Sequence, residues 1–302
     1  MAISRSQLLK ELLPRLNALF GLEYSKYGDE HAEIYETETS DRSFEEETKL
    51  SGFGSAPTKS EGASIEYDTA QEAFTARYTH ETVAMGFAIT EEAIEDNLYD
   101  SLSARYTKAL ARAMAYTKQV KAASLLNGAF SGTTYGDGSF LCATDHALVN
   151  GGTNSNRPTV GADLNETSLE AAVIQIGQWT DERGLKIATQ PKKLIIPSDL
   201  QFVATRLLET EGRVGTADND INALSNNGSV PGGYTVNHYL TDAGAWFLTT
   251  DIPNGMKHFV RAKMATSMDA DFDTGNSRYK ARERYSFGVS DPLGIFGSPG
   301  AS

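Results

Sequence analysis

Residues 97–128 read NLYDSLSARYTKALARAMAYTKQVKAASLLNG, with no glycine or proline before Gly128. Leu102, Tyr106, Ala109, Ala113 and Val120 recur at three- and four-residue steps. At about 100° per residue they fall on one apolar stripe, with Arg105, Lys108 and Arg112 beside it. The spacing predicts one helix of roughly 29 residues, about 43 Å long, closed by Asn127-Gly128 as a left-handed terminator. That is more than twice an average helix, and such a length predicts a strut running along a domain.

Working outward, the chain has 302 residues, 40% hydrophobic and 22% charged, which predicts two domains. Its 27 Lys and Arg against 40 Asp and Glu leave a formal charge of −13, which disfavours a general nucleic-acid binder. The single cysteine, Cys142, excludes an internal disulfide and a cysteine-based zinc site. No apolar run approaches the roughly 20 residues of a membrane span, so the reading expects a soluble protein made in a reducing cytoplasm.

Before the strut, Leu8, Leu9, Leu12, Leu13, Leu16, Leu19 and Phe20 predict an amphipathic helix with Pro14 as a kink, packed on its own domain rather than on a neighbour. Residues 29–47 hold nine acids against one strong base, Arg42, and read as an exposed arm. Residues 50–64, crowded with Gly, Ser and Pro, read as a flexible tip between strand-like stretches at 44–50 and 65–89. Together these predict a two-stranded finger with little apolar material of its own, stabilised by lying on something else.

After the strut, Thr167-Ser168-Leu169-Glu170 reads as a capping box for a helix carrying Leu169, Val173, Ile176 and Trp179 inward and ending at Gly184. Lys193–Ser198 reads as a buried strand turning into a helix capped by Ser198, with Phe202, Val203, Leu207 and Leu208 inward. Residues 211–234 form a long loop of the kind that contacts partners. Residues 245–250, 258–262 and 278–287 read as strands.

The chemical motifs are weak. Asp269, Asp271 and Asp273 resemble the opening of a calcium loop, but the glycine comes one residue late and Lys280 stands where a bidentate Glu is required, so an exposed turn is the better reading. Asp145, His146 and Cys142 lack any nucleophile elbow or cysteine-protease context. The bases Arg105, Lys108, Arg112, Lys118 and Lys121, opposed only by Asp100, are read as ion-pairing with the acidic arm, within or between chains, in preference to nucleic acid.

The order of parts, an acidic arm, a long hairpin, one very long helix ending at Ser124-Leu-Leu-Asn-Gly128 and then a mixed domain, closely resembles the major capsid proteins of tailed bacteriophages, the Hong Kong 97-like fold. The supporting stretches are Ala88–Asn97, Leu169-Glu-Ala-Ala, Asp181-Glu-Arg-Gly184, Pro191–Leu200, Ala245-Trp-Phe-Leu248, Asp271–Thr274 and Ser290-Asp-Pro-Leu-Gly294. They look like the branch that includes Mu-like head subunits.

The resemblance implies an α+β fold divided into an N-terminal arm (1–43), an E-loop (44–85), a P-domain with the spine helix (86–190), an A-domain (191–265) and a C-terminal return to the P-domain (266–302). It further implies a structural subunit with no catalysis and no cofactor. Such a subunit assembles through pentamers and hexamers into a shell around double-stranded DNA that it does not bind by sequence. Its other partners would be a portal and a separate scaffolding protein, with assembly in the bacterial cytoplasm. Asp41, Glu45, Glu46, Lys59, Arg105, Lys108 and Arg112 are the expected intersubunit contacts. Some family members cross-link an E-loop Lys to a neighbour's Asn; Lys49 and Lys59 lie near the tip, but no Asn partner is identified and no bond is expected. The competing readings are a tail or other virion component, and an enzyme using Cys142, Asp145 and His146 or a metal on Asp269, Asp271 and Asp273.

Overall fold

The computed structural model describes residues 5–90, 92–93, 99–212, 221–271 and 275–301, without the side chains of 5–12 and 99–101. Asp273, residues 94–98 of the strut's lead-in, 213–220 of the long loop and the side chains of Leu8, Leu9 and Leu12 lie outside the described residues.

Two four-stranded sheets organise the chain. In the first, β1 (Glu36–Thr39), β10 (Met256–Ala270), β11 (Ser277–Val289) and β4 (Glu81–Ile89) lie side by side in that order, with β1 parallel to β10 and the other pairs antiparallel. In β11 the residues alternate between buried and exposed as far as Tyr285, so Tyr279, Ala281, Glu283 and Tyr285 share the covered face. That face carries the predicted strut, α2 (Tyr99–Asn127), and beside it α1 (Arg5–Tyr24), which runs through Pro14. Leu16 and Phe20 of α1 pack with Leu110, Ala111 and Met114 of α2 and with Tyr279 and Ala281, so this described part of the stripe is covered within its own chain.

The strut ends at Asn127 as the spacing predicts, but Gly128 is not left-handed. A Cβ there would lie 2.6 Å from the Thr133 hydroxyl, and the Gly128 carbonyl accepts from the amides of Gly132 and Thr133. Close approach of the returning chain, not a positive φ, demands this glycine.

The stripe orientation is corrected. The face of α2 that meets the sheet and α1 is built from Ser103, Thr107, Leu110, Ala111, Met114, Ala115, Gln119, Ala122, Ala123 and Leu126. Leu102, Tyr106, Ala109 and Val120, read as the buried stripe, are exposed. Small side chains let the helix axis approach the sheet closely, so the tight interface takes Ala and Ser and leaves the bulkier residues outside.

The second sheet has the order β12 (Ile295–Ser298), β9 (Trp246–Thr250), β7 (Pro191–Ile196), β8 (Tyr234–Val236). Alternation gives it two buried faces. Leu194, Ile196, Trp246, Leu248 and Phe296 meet α3 (Glu166–Gly177) and α4 (Gln201–Leu208), while Ile195, Phe247 and Ile295 meet the end of α2 through Ala122 and Leu126. Each fully buried large side chain here contributes about 2–3 kcal/mol.

Several expectations shift. The cap of α3 is Asn165, whose side chain accepts from the Ser168 amide while Ser168 returns a bond, two residues before the predicted box. The helix carries Leu169, Ala172 and Ile176 inward and ends at Gly177. Ser198 makes no cap bond, and Phe202 is exposed rather than inward. The finger's strands, β2 (Phe44–Leu50) and β3 (Glu72–Thr79), end before residue 85, because 81–89 form β4 and pair with β11. The last strand, β12, pairs antiparallel with β9, and α3 covers the second sheet; both pairings are long-range and leave no local signal.

Candidate assembly surfaces

The acidic stretch 29–47 is not a free arm. Ile34, Tyr35 and His31 are buried, the Tyr35 hydroxyl donates to the Ala122 carbonyl at 2.6 Å, and β1 joins the first sheet. Several of its acids meet basic side chains distant in sequence. Glu33 pairs with Lys193, Glu30 with His238 at 2.7 Å, and Glu38 and Glu47 both accept from Lys257, whose side chain is almost fully buried. Burial opposes the Lys257 charge, but the two carboxylates outweigh it and hold its pKa above the ordinary value.

Lys257 is therefore a clamp between the arm, the sheet and the base of the finger, and a second clamp lies nearby. Lys49 at the end of β2 bonds Asp291 at 2.9 Å and Glu182 at 3.0 Å. Between them Tyr78 of β3 is buried and bonds Ser290, and it packs so closely on Gly288 that a Cβ there would sit 2.4 Å from its ring. The base of the finger is thus fixed to its own body.

The tip is not. Beyond Ser51 every residue to Gln71 is exposed, including Phe53, Ile65 and Tyr67 at 62, 66 and 90%. One ion pair, Arg183 with Asp68 at 2.9 Å, ties this segment to the body. Glu61, Glu66 and Glu72 have no basic partner among the described residues, and Lys59 is exposed with no carboxylate partner.

A second exposed surface runs along the outer face of α2, where Tyr106 touches only Phe87 and Tyr116 touches Tyr239 among the rings of the described residues. Leu102, Tyr106, Tyr116 and Val120 are 38, 47, 59 and 38% exposed, and Ala109 lies between them. Ala109 and Tyr116 of this face, with Glu23, Tyr27, Lys108, Arg112 and Ala113, line an open groove of about 490 Å³. Arg105, Lys108 and Arg112 are exposed, and none makes an ion pair among the described residues. Among the expected contact residues, Glu45 is bonded to Ser40 at 2.7 Å, Glu46 pairs with Arg77 at 3.5 Å and Asp41 is exposed. The structure therefore does not bring the arm's acids to the spine bases within one chain. Lys118 turns inward to Glu283 instead, and Lys121 pairs at the surface with Glu81.

The residues of the enzyme reading are structural. Cys142 is fully buried and its thiol is pushed up by that burial. The partner of His146 is Asp137, at 2.7 Å from Nδ1, while Asp145 points to solvent. Next to them Asn156, fully buried, donates to the carbonyls of Leu141, Pro292 and Ile295 and accepts from the Ala143 amide, tying together three segments of the body. Asp271 pairs with Arg278 across the β10–β11 turn, and no group of three metal-binding side chains converges among the described residues.

A family described as phage capsid protein matches residues 72–297, three quarters of the sequence. The chain belongs to the phage capsid protein family. Solved capsids carry the same Hong Kong 97-like fold. The Cyanophage P-SCSP1u capsid matches at TM-score 0.57 and 13% identity over 87% of this chain and 85% of that one. The capsid of an empty GTA particle matches at 0.56 and 15%, covering 90 and 89%. A virus-like particle from Pyrococcus furiosus matches at 0.54 and 11%, covering 95 and 99%. No curated protein sequence matches. The chain is a major capsid protein, and its work is to form a shell.

Neither the clamps nor the outward stripe is visible in one dimension. The residues joined by Lys257 are about two hundred positions away, and a stripe of Leu and Tyr looks more like core than a stripe of Ala and Ser.

Proposed function

We propose that this capsid protein assembles through pentamers and hexamers by placing the finger tip of one subunit against the outer groove of a neighbour's α2. The observation that carries the reading is that one chain exposes two largely uncovered surfaces of opposite charge. The tip offers Phe53, Ile65 and Tyr67 with Glu61, Glu66 and Glu72, and the groove offers an apolar floor with Arg105, Lys108 and Arg112. A head-to-tail contact of this kind closes rings when its rotation fits, and many weak copies sum around a shell. Asp41 and Lys59 serve as further rim contacts; Glu45 and Glu46 are already engaged within the chain.

The finer assignments belong to the same reading. They are the Mu-like branch, assembly in the bacterial cytoplasm with a portal and a separate scaffolding protein, and a division into arm, E-loop, P-domain, A-domain and C-terminal return. The net charge of −13 supports a wall that does not hold packaged double-stranded DNA tightly, and a purely structural role without catalysis fits the sealed Cys142 and His146.

The test is a charge swap. Reversing Arg105, Lys108 and Arg112 to Glu abolishes particles in sedimentation and negative-stain images, as does reversing Glu61, Glu66 and Glu72 to Lys. Combining both sets restores particles. Normal particles from either single set, or no rescue by the combination while the subunit stays folded, contradicts the contact.

A further inference from the structure

We propose that the arm and the finger are hinged to the body by an acid-sensitive joint made of three buried histidines, His31, His80 and His258. Each sits where the arm or the finger meets the body, and each bonds across that boundary. His31 lies in the turn before β1, with its ring nitrogen 3.0 Å from Gln119 of α2. His258 of β10 lies 3.2 Å from the Thr37 hydroxyl of β1, stacks on Phe287 with centroids 4.4 Å apart, and meets the edge of His31 at 5.1 Å. Its Nε2 is buried with no partner. His80, the single residue between β3 and β4, bridges the Ser286 hydroxyl of β11 at 2.9 Å and the Ser40 hydroxyl after β1 at 3.0 Å. All three are at most 5% exposed.

The charges that face them make a proton costly. Lys118 of α2 faces both His31 and His258, held by Glu283 of β11 at 3.6 Å, with the Tyr24 hydroxyl of α1 at 3.4 Å from that same carboxylate. Asp29 lies 3.8 Å from His31 on the solvent side. Arg284 of β11, Arg261 of β10 and Glu45 of β2 face His80. Burial first, and then Lys118, hold His31 below the usual histidine range, while burial, Lys118 and His31 hold His258 down to about 3. Burial and Arg284 lower His80.

A histidine whose folded value lies below its unfolded one takes its proton more readily when the joint is open. Closure is fully favoured above about pH 6.5 and weakens as the pH falls, by about tenfold per unit for each site. Glu283, raised by burial, works in the opposite direction, and three histidines outnumber it. Within the shell reading above, this joint would let acidity free arm and finger together; the joint itself does not depend on that reading.

Backbone hydrogen exchange of the full unassembled chain at pH 7.5 and 5.5, corrected for its intrinsic pH dependence, tests it. At pH 5.5 residues 30–39 and 72–82 should open well over tenfold more often, because each site one unit below its ordinary value supplies about tenfold and the factors multiply, while β7 and β9 hold. The double variant His80→Gln, His258→Phe keeps the bridge and the ring stack but cannot titrate there, and should lose most of the response. Equal opening at both pH values, or a full response in the folded variant, overturns the joint. Exchange at the imidazole C2 position of the unaltered protein is a second reading, and His258 titrating at 6 or above also overturns it. Normal particles without an acid response defeat the joint alone; an acid response in a chain that never forms particles defeats the shell contact alone.

Discussion

In the second sheet both faces are covered by the same chain, Leu194 and Ile196 toward α3 and α4, and Ile195 toward the end of α2. Residues 52–71 do the reverse and leave Phe53, Ile65 and Tyr67 in water. Between these extremes lies the finger's base, where Lys257, Lys49 and Tyr78 fix the hairpin to its own body before the tip departs. The gradient teaches that the chain spends its apolar and ionic partners on a self-sufficient body and withholds them from one segment and one helix face. Isolated hairpins are marginal in water, so a clamped base is what allows an unsupported tip to be presented in a defined direction.

Four variants sharpen the contrast. Trp246→Ala removes the largest fully buried side chain, which contacts Phe296 and donates to the Ala162 carbonyl. It should cost about 5 kcal/mol in denaturant unfolding. Asn156→Ala leaves three buried carbonyls and an amide short of a partner and should cost about 4 kcal/mol by the same measurement. Lys257→Ala leaves Glu38 and Glu47 without their shared cation and should cost about 3 kcal/mol, with faster hydrogen exchange in 44–50. The pair Phe53→Ser and Tyr67→Ser should change subunit stability by less than about 0.5 kcal/mol. It should nevertheless reduce particle yield in sedimentation. If the tip variants destabilise the subunit as much as the Asn156 variant does, the contrast between body and tip is lost.

Much of this was legible in the sequence, and the failures share a cause. The length of α2 and its end at Asn127 follow from an uninterrupted helical pattern, and β7, β9, β10 and β11 from apolar runs. The orientation of α2 does not, because Leu102 and Tyr106 carry more apolar surface than Ala111 and Ser103, while close packing on a sheet favours the small ones. The nine acids of 29–47 suggested solvation, yet Ile34 and Tyr35 are buried among them and their cations, Lys193 and Lys257, come from far along the chain. Long-range pairing likewise placed β12 beside β9. The candidate surfaces were half legible: the flexible tip and the spine bases were named, whereas the internal ion pairs that engage Glu33, Glu38 and Glu47 of the arm have no local signal.

The most direct measurement compares hydrogen exchange of residues 52–71 and 102–120 in the free subunit and in purified particles. The account predicts that both segments gain protection on assembly, the tip from nearly none, while β7 and β9 stay as they are. Identical exchange in subunit and particle at these two segments would show that neighbouring copies do not cover them, and the account would fail.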